Sequence, residues 1–199
     1  MTEHYFSNQP TSKSERHKWD FPLRGHSFTF LSDYGVFSKR EVDFGSRLLI
    51  ETFQAPDAQG SFLDVGCGYG PIGLSIAKDF GSRQVDMIDV NERALQLSKE
   101  NAALNSIDNV RIFASDLYAN VEGEYAAILS NPPIRAGKKT VHEILVKAHD
   151  HLISGGELWI VIQKKQGAPS ALEKLNEVFS CVEVVAKKKG YYIIKSKKY

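Results

Sequence analysis

Apolar and polar positions along the chain follow two periods, and each change of period marks an element. Residues 26–30 set Phe28 and Phe30 between Ser27 and Thr29, a period of two that predicts a strand. Residues 41–53 carry Phe44, Leu48 and Leu49 at helical spacing. A short apolar run at Phe62 to Val65 then breaks into glycines and resumes from Pro71 with Ile72, Ile76, Ala77 and Phe80 on one helical stripe. Strand-like runs recur at residues 84–90, 110–114, 125–129 and 157–163. Helical patterns lie between them, to about Asn105 after a capping Asn91, over residues 140–152, and from Pro169 through Leu172, Leu175 and Phe179. Strands that are apolar throughout, alternating with helices, predict a parallel sheet covered on both faces. The rhythm breaks at the end. Runs at 182–186 and 191–195 are separated only by Lys187, Lys188, Lys189 and Gly190, too short for a crossover, so they predict an antiparallel hairpin.

Residues 1–26 are polar and interrupted by Pro10 and Pro22, and are expected to form a lead-in to one domain over residues 27–199. The formal net charge of +1 demands no polyanionic partner but permits a local basic patch. Cys67 and Cys181 are the only cysteines, with no C-x-x-C pair and no secretory signal, so a reducing cytoplasm is expected. His149 and His151 are the only closely spaced histidines, and no thiolate or acid cluster completes a shell, so no metal is expected. No apolar run approaches membrane-spanning length, and no membrane partner is expected.

The chemistry concentrates where strands end. After Asp64, glycines at 66, 68 and 70 allow positive φ and let a ligand lie against the main chain, and the first N–H groups of the following helix are expected to point at it. In doubly wound sheets ligands sit outside the carboxyl ends of the strands. Asp89 lies about 20 residues beyond Gly70, the spacing of an acid that accepts hydrogen bonds from ribose hydroxyls. Asp116 and Asn131 follow the next two strands.

A doubly wound, mostly parallel seven-stranded sheet finished by an antiparallel hairpin resembles the class I S-adenosylmethionine-dependent methyltransferases, over residues 28–196. The resemblance implies S-adenosylmethionine as cofactor, with Gly66 and Gly68 against it, Asp64 meeting its ammonium and Asp89 its ribose. Val90 would lie on the adenine face, Asp116 and Leu117 near the adenine amino group, and Phe37 facing the cofactor. The run from Gly68 to Gly73 also satisfies G-x-G-x-x-G, the mark of dinucleotide sites. Asp64, however, puts negative charge where a pyrophosphate would sit, and a dehydrogenase usually brings a second substrate domain that 199 residues leave no room for.

Asn131-Pro132-Pro133-Ile134 is similar to the Asn-Pro-Pro-aromatic signature of enzymes that methylate planar nitrogens, with Ile134 in the aromatic's place. Such a nitrogen is a poor nucleophile because its lone pair is delocalised. The Asn131 side-chain oxygen and the Pro132 carbonyl would accept its two hydrogens and aim the lone pair, while Pro132 and Pro133 stiffen the backbone carrying them. Together with Gly35-Val36-Phe37-Ser38 and residues 42–49, these motifs resemble the ribosomal RNA small-subunit methyltransferase C family, the guanine-N2 enzymes. Those enzymes often carry a second, degenerate copy of the fold, whereas these 199 residues are expected to hold a single copy. The implied activity is methyl transfer to a guanine exocyclic amine of RNA, by a monomer or homodimer. Ile134 would pack on the base, and Arg135, Lys138 and Lys139 would meet phosphates or form a solvated rim. The alternatives are a protein-glutamine methyltransferase and a non-catalytic RNA-binding module.

Overall fold

A computed structural model describes residues 13–34, 36 and 40–199. Seven strands form one sheet: β3 (Phe62–Val65), β4 (Val85–Asp89), β5 (Val110–Ala114), β6 (Tyr125–Ser130), β7 (Leu152–Gln163), β8 (Cys181–Lys188) and β9 (Tyr191–Lys197). Their spatial order is β5-β4-β3-β6-β7-β9-β8, with β9 antiparallel to both neighbours and every other pair parallel. Side chains of successive strand residues leave on opposite faces. Phe62, Leu129, Trp159, Val161 and Ile193 therefore pack on one side, with α1 (Phe44–Thr52), α2 (Pro71–Asp79) and α3 (Glu92–Leu104). Leu63, Val65, Ile128, Ile160 and Ile194 pack on the other, with α4 (Lys138–Lys147) and α5 (Ala168–Val178). Burial on both faces is what makes the strands read as apolar throughout.

The expected lead-in is a strand in part. β1 (Arg16–Leu23) pairs antiparallel with β2 (His26–Asp33) as a separate two-stranded sheet, so a boundary at residue 26 cuts a hairpin. Asn101 on α3 and Asn105, the residue that caps its end, attach it to the domain. Asn101 donates to the Leu31 carbonyl (3.0 Å) and accepts from its N–H (2.7 Å), and Asn105 does the same for Thr29 (2.8 and 2.9 Å). The two amides thus imitate a neighbouring strand and satisfy the hairpin's open edge. Asn101 also donates to the Tyr69 carbonyl (2.8 Å), tying the hairpin to the glycine loop.

A second difference lies between α4 and β7. The helix expected to reach residue 152 ends at Lys147, a 3₁₀ turn spans Ala148–His151, and β7 starts at Leu152. Its register against β6 shifts between Tyr125 and Ala127, which lets residues 153–156 bulge. Gly156 sits in the bulge where a Cβ would come within 2.9 Å of the Ile153 and Tyr125 carbonyl oxygens. The bulge breaks the alternation and hides the strand's true start.

Candidate active site

The site is assembled at the carboxyl ends of β4, β3 and β6. Gly66, Gly68 and Gly70 all have positive φ (74°, 59° and 104°), which folds the chain after β3 back over β4. The N–H groups of Gly66 and Cys67 both donate to the Ile88 carbonyl (2.9 Å each). Gly68 N–H donates to Asp89 Oδ2 (2.9 Å), and Asn91 N–H donates to Asp89 Oδ1 (2.9 Å). Asp89 therefore fastens the loop to β4 and orders the start of α3, whose N-cap Asn91 accepts from Ala94 N–H (3.0 Å). A Cβ on Gly66 would meet nothing within 4 Å, so the loop borders an open cradle there.

Asp64 lies under the loop, 1% exposed. Its Oδ2 accepts from Gly73 N–H (2.8 Å), in the first turn of α2, and its Oδ1 is buried without a hydrogen-bond partner. This corrects the expectation that the first N–H groups of that helix face a ligand: Gly73's is taken by a carboxylate of the chain itself. Burial is the main cause that pushes the Asp64 carboxyl up to about 7; the Gly73 hydrogen bond opposes this, and the nearby Asp89 charge adds to it. Burial likewise raises the Cys67 thiol well above its usual range, so Cys67 is no ready nucleophile.

Val90 is half-buried beside Asp89. Asp116 is exposed at the end of β5, in a turn where Ser115 Oγ donates to the Leu117 carbonyl (2.7 Å) and accepts from Asn120 N–H (3.0 Å). Leu117 is held there at φ +49°, a conformation L-residues seldom adopt. Phe37 lies outside the described residues.

Asn131 follows Ser130, which pairs with Val65 and donates its Oγ to the Val65 carbonyl (2.9 Å), so Asn131 leaves the sheet beside the glycine loop. Its Nδ2 donates to Ser46 Oγ (3.0 Å) and to Asp43 Oδ2 (3.3 Å). A carboxylate only accepts, so the NH₂ end must face Asp43 and the carbonyl Oδ1 must face away. Asp43 is also the N-cap of α1, accepting from Ser46 N–H (3.0 Å). Asp43 and Ser46 hold this amide, and the sequence did not single them out for that. An acid three residues before Ser46 is a capping signal, but a helix expected to begin at residue 41 swallows the cap. Pro132 is buried and Pro133 half-buried; Ile134 opens the 3₁₀ turn Ile134–Ala136 and packs partly on the α4–α5 side of the core. Arg135, Lys138 and Lys139 are exposed, the two lysines in the first turn of α4, where no acid lies and the N-cap Gly137 supplies no side-chain bond.

Among the described residues no group of three or more His, Cys, Asp or Glu could hold a metal ion, and no helix is long and apolar enough to cross a membrane.

YbxB of Bacillus subtilis is 64% identical over the full length of both chains. Two proteins named ribosomal RNA small subunit methyltransferase C are also similar. The one from Aeromonas hydrophila is 43% identical over 67% of this chain and 39% of its own length, and the one from Vibrio cholerae 32% over 88% and 51%. The chain thus spans about half or less of those two relatives. Among solved structures, a Thermus thermophilus 16S rRNA N2 guanine methyltransferase in complex with AdoMet and guanosine shares the fold. Its TM-score is 0.83 at 22% identity, over 96% of this chain and 52% of that one. Residues 27–195 match the family model of the methyltransferase small domain, and the chain belongs to that family.

Proposed function

We propose that the chain methylates the exocyclic N2 amine of a guanine in small-subunit ribosomal RNA. The observation that carries this reading is the Asn131 amide, pinned through its nitrogen by Asp43 and Ser46 with its carbonyl turned away from them. That carbonyl and the backbone carbonyl of Pro132 form two acceptors for the two hydrogens of a planar amine. Accepting a hydrogen bond from each of those hydrogens turns the nitrogen lone pair out of conjugation with the ring. Because the acceptors are fixed before the amine arrives, little ordering is left for the reaction itself. The relatives named for ribosomal RNA methylation, at 32% to 43% identity, support an RNA acceptor.

The cofactor is S-adenosylmethionine, which when bound supplies an electrophilic methyl group on a cationic sulfur. The residues fit it. The open cradle at Gly66 gives room against the main chain, and the unpartnered buried Asp64 Oδ1 is an acceptor awaiting a cation. Asp89 stands where a ribose would come. A pyrophosphate fits worse, because a carboxylate already takes the Gly73 N–H. Asp89→Ala removes an acceptor for the ribose and the tie on Gly68 together, and is expected to weaken S-adenosylmethionine binding about 10- to 100-fold. Calorimetry on the folded variant checks this, and unchanged affinity removes Asp89 from the site.

Lys138 and Lys139 sit against the positive end of the α4 dipole, where cations are unfavourable. Their place makes sense if an outside anion joins them, and a phosphate of the RNA is that anion. Changing Arg135, Lys138 and Lys139 together to alanine is expected to weaken RNA binding. The slope of log affinity against log salt should fall by about 2, at about 0.7 per phosphate contact on single strands, with cofactor affinity unchanged. Equal slopes for parent and variant return these residues to a solvated rim.

The activity itself is tested with labelled S-adenosylmethionine. The acceptors are naked ribosomal RNA, small subunits and total protein from cells lacking this chain. Label recovered as N2-methylguanine supports the reading. Label only on protein glutamine, or none on any acceptor, overturns it.

A further inference from the structure

The helix that holds Asn131 carries a second surface. Asp43 and Ser46 face Asn131, while Phe44 and Arg47 line a groove of about 290 Å³ shared with Phe21 and Pro22 of the N-terminal hairpin and Lys188 at the end of β8. The Arg47 guanidinium lies 5.5 Å from the ring centres of both Phe21 and Phe44. Lys189 sets its ammonium 4.8 Å over Phe44, whose ring packs 5.5 Å from that of Tyr191. Two cations thus share one aromatic ring, and Lys188 adds a third along the groove. Among the described residues Arg47 makes no ion pair, and its buried Nε has no hydrogen-bond partner. The acid that lines the groove, Glu51, accepts from the Arg24 backbone N–H (2.8 Å).

The β8–β9 turn adds its own evidence. Lys189 stands at φ +49° before Gly190 at +80°, the left-handed pair of a tight hairpin turn. Asn, Asp or Gly serves such a turn with less strain. A lysine there, beside Lys188 and sharing the Phe44 ring with Arg47, costs the turn something and raises like-charge repulsion. A polyanion lying along the groove relieves the repulsion. A guanidinium held between two rings keeps its planar fork fixed, the geometry that suits phosphate oxygens.

We infer that this groove is a track for single-stranded RNA leading away from the target nucleotide, with Arg47, Lys188 and Lys189 on its phosphates. The inference rests on the RNA reading above and adds a second contact surface to Arg135, Lys138 and Lys139. Continuity favours RNA over an acidic protein, because the groove begins within one helical turn of the residues that hold Asn131. Aromatic rings interleaved with cations also suit a nucleotide chain.

The test uses the full chain, its K188Q/K189Q variant and its R47Q variant, with naked small-subunit ribosomal RNA and a polyglutamate peptide as probes. Lys188 and Lys189 are exposed, so the double variant leaves the core intact, and glutamine at 47 retains most of the side chain between the two rings. The K188Q/K189Q slope of log affinity against log salt is expected to fall by about 1.4, and the R47Q slope by about 0.7. The KM for RNA should rise several-fold while turnover at saturating RNA and cofactor affinity stay at the parental values. If the parent methylates RNA and both variants keep its slope, the track is overturned and the RNA reading stands. Loss of polyglutamate binding with RNA binding intact assigns the groove to an acidic protein and overturns it as well. A parent that methylates no RNA removes the function reading and this inference together.

Discussion

Single-turnover methyl transfer by Asn131→Ala is expected to be about 10²–10³-fold slower than by the parent, at saturating cofactor and RNA, the usual cost of removing one fixed polar group aimed at the reacting centre. The variant loses one of two acceptors for the target amine and keeps the other, the Pro132 carbonyl. RNA affinity should stay near the parental value, because phosphate contacts supply most of it. Asn131 lies at a strand end, half-buried, so folding should be little disturbed. A second variant distinguishes positioning from bulk. Asp43→Ala removes one anchor of the Asn131 amide, and also an N-cap, which costs about 1 kcal/mol of stability. Its transfer rate should fall between those of the parent and Asn131→Ala. The double variant should be no slower than Asn131→Ala alone, since residues acting as one unit do not add. Independent, multiplicative losses would show that Asp43 acts elsewhere. An Asn131→Ala protein with the parental rate would falsify the role assigned to Asn131.

What could be read beforehand follows from the range of each interaction. The parallel strands were legible because both faces are buried, which leaves an apolar run in consecutive residues such as those of β6. The closing hairpin was legible because its link is too short for any other connection. Asn91 announced the start of α3 as a cap does, within three residues. The second strand of the N-terminal hairpin was legible from its alternation, but the first was not, because the hairpin's edge is satisfied by Asn101 and Asn105, far along the chain, and those asparagines look like ordinary polar positions of a helix. The early start of β7 was hidden by the bulge at residues 153–156, which interrupts the strand's alternation before residue 157. At the site the same division holds. Asn131 and its prolines form a local motif, but its holders Asp43 and Ser46 lie 88 and 85 residues away. The acid beside the glycine loop was visible, yet its bond to Gly73 depends on how tightly the chain turns between them. Asp89 was expected at a ribose; what the structure shows is that it fastens Gly68 and orders Asn91.

Asp64 yields the second large effect, on stability as a function of pH. In the cofactor-free chain its carboxyl rises from 3.8 to about 7, chiefly because burial penalises the charge. Below about pH 4 the folded and unfolded chains are both protonated at this group, and it contributes nothing. Between about 4 and 7 the folded chain keeps a proton that the unfolded chain has lost, so stability must fall as pH rises. Above about 7 the group is ionised in both states and the penalty is complete, about 4 kcal/mol for a rise of this size. In a domain of this length that is on the order of 10 °C in melting temperature. Asp64→Asn isolates the effect: its carbonyl can still accept from Gly73 N–H, but it has no charge to bury. Melting curves of parent and variant should therefore diverge from pH 4.5 to 7.5, the parent falling relative to Asp64→Asn. Carboxylates with lowered values, such as Asp79 held by Arg24 and His26, change stability equally in both proteins and cancel. Adding S-adenosylmethionine should narrow the gap, because an ammonium against the unpartnered Oδ1 favours the ionised carboxyl. Its stabilising effect on the parent should grow towards pH 7.5 and stay flat in Asp64→Asn. Parallel curves without cofactor would show that Asp64 is ionised at no cost. A gap that S-adenosylmethionine leaves unchanged would separate Asp64 from the ammonium and leave it the anchor of Gly73 alone.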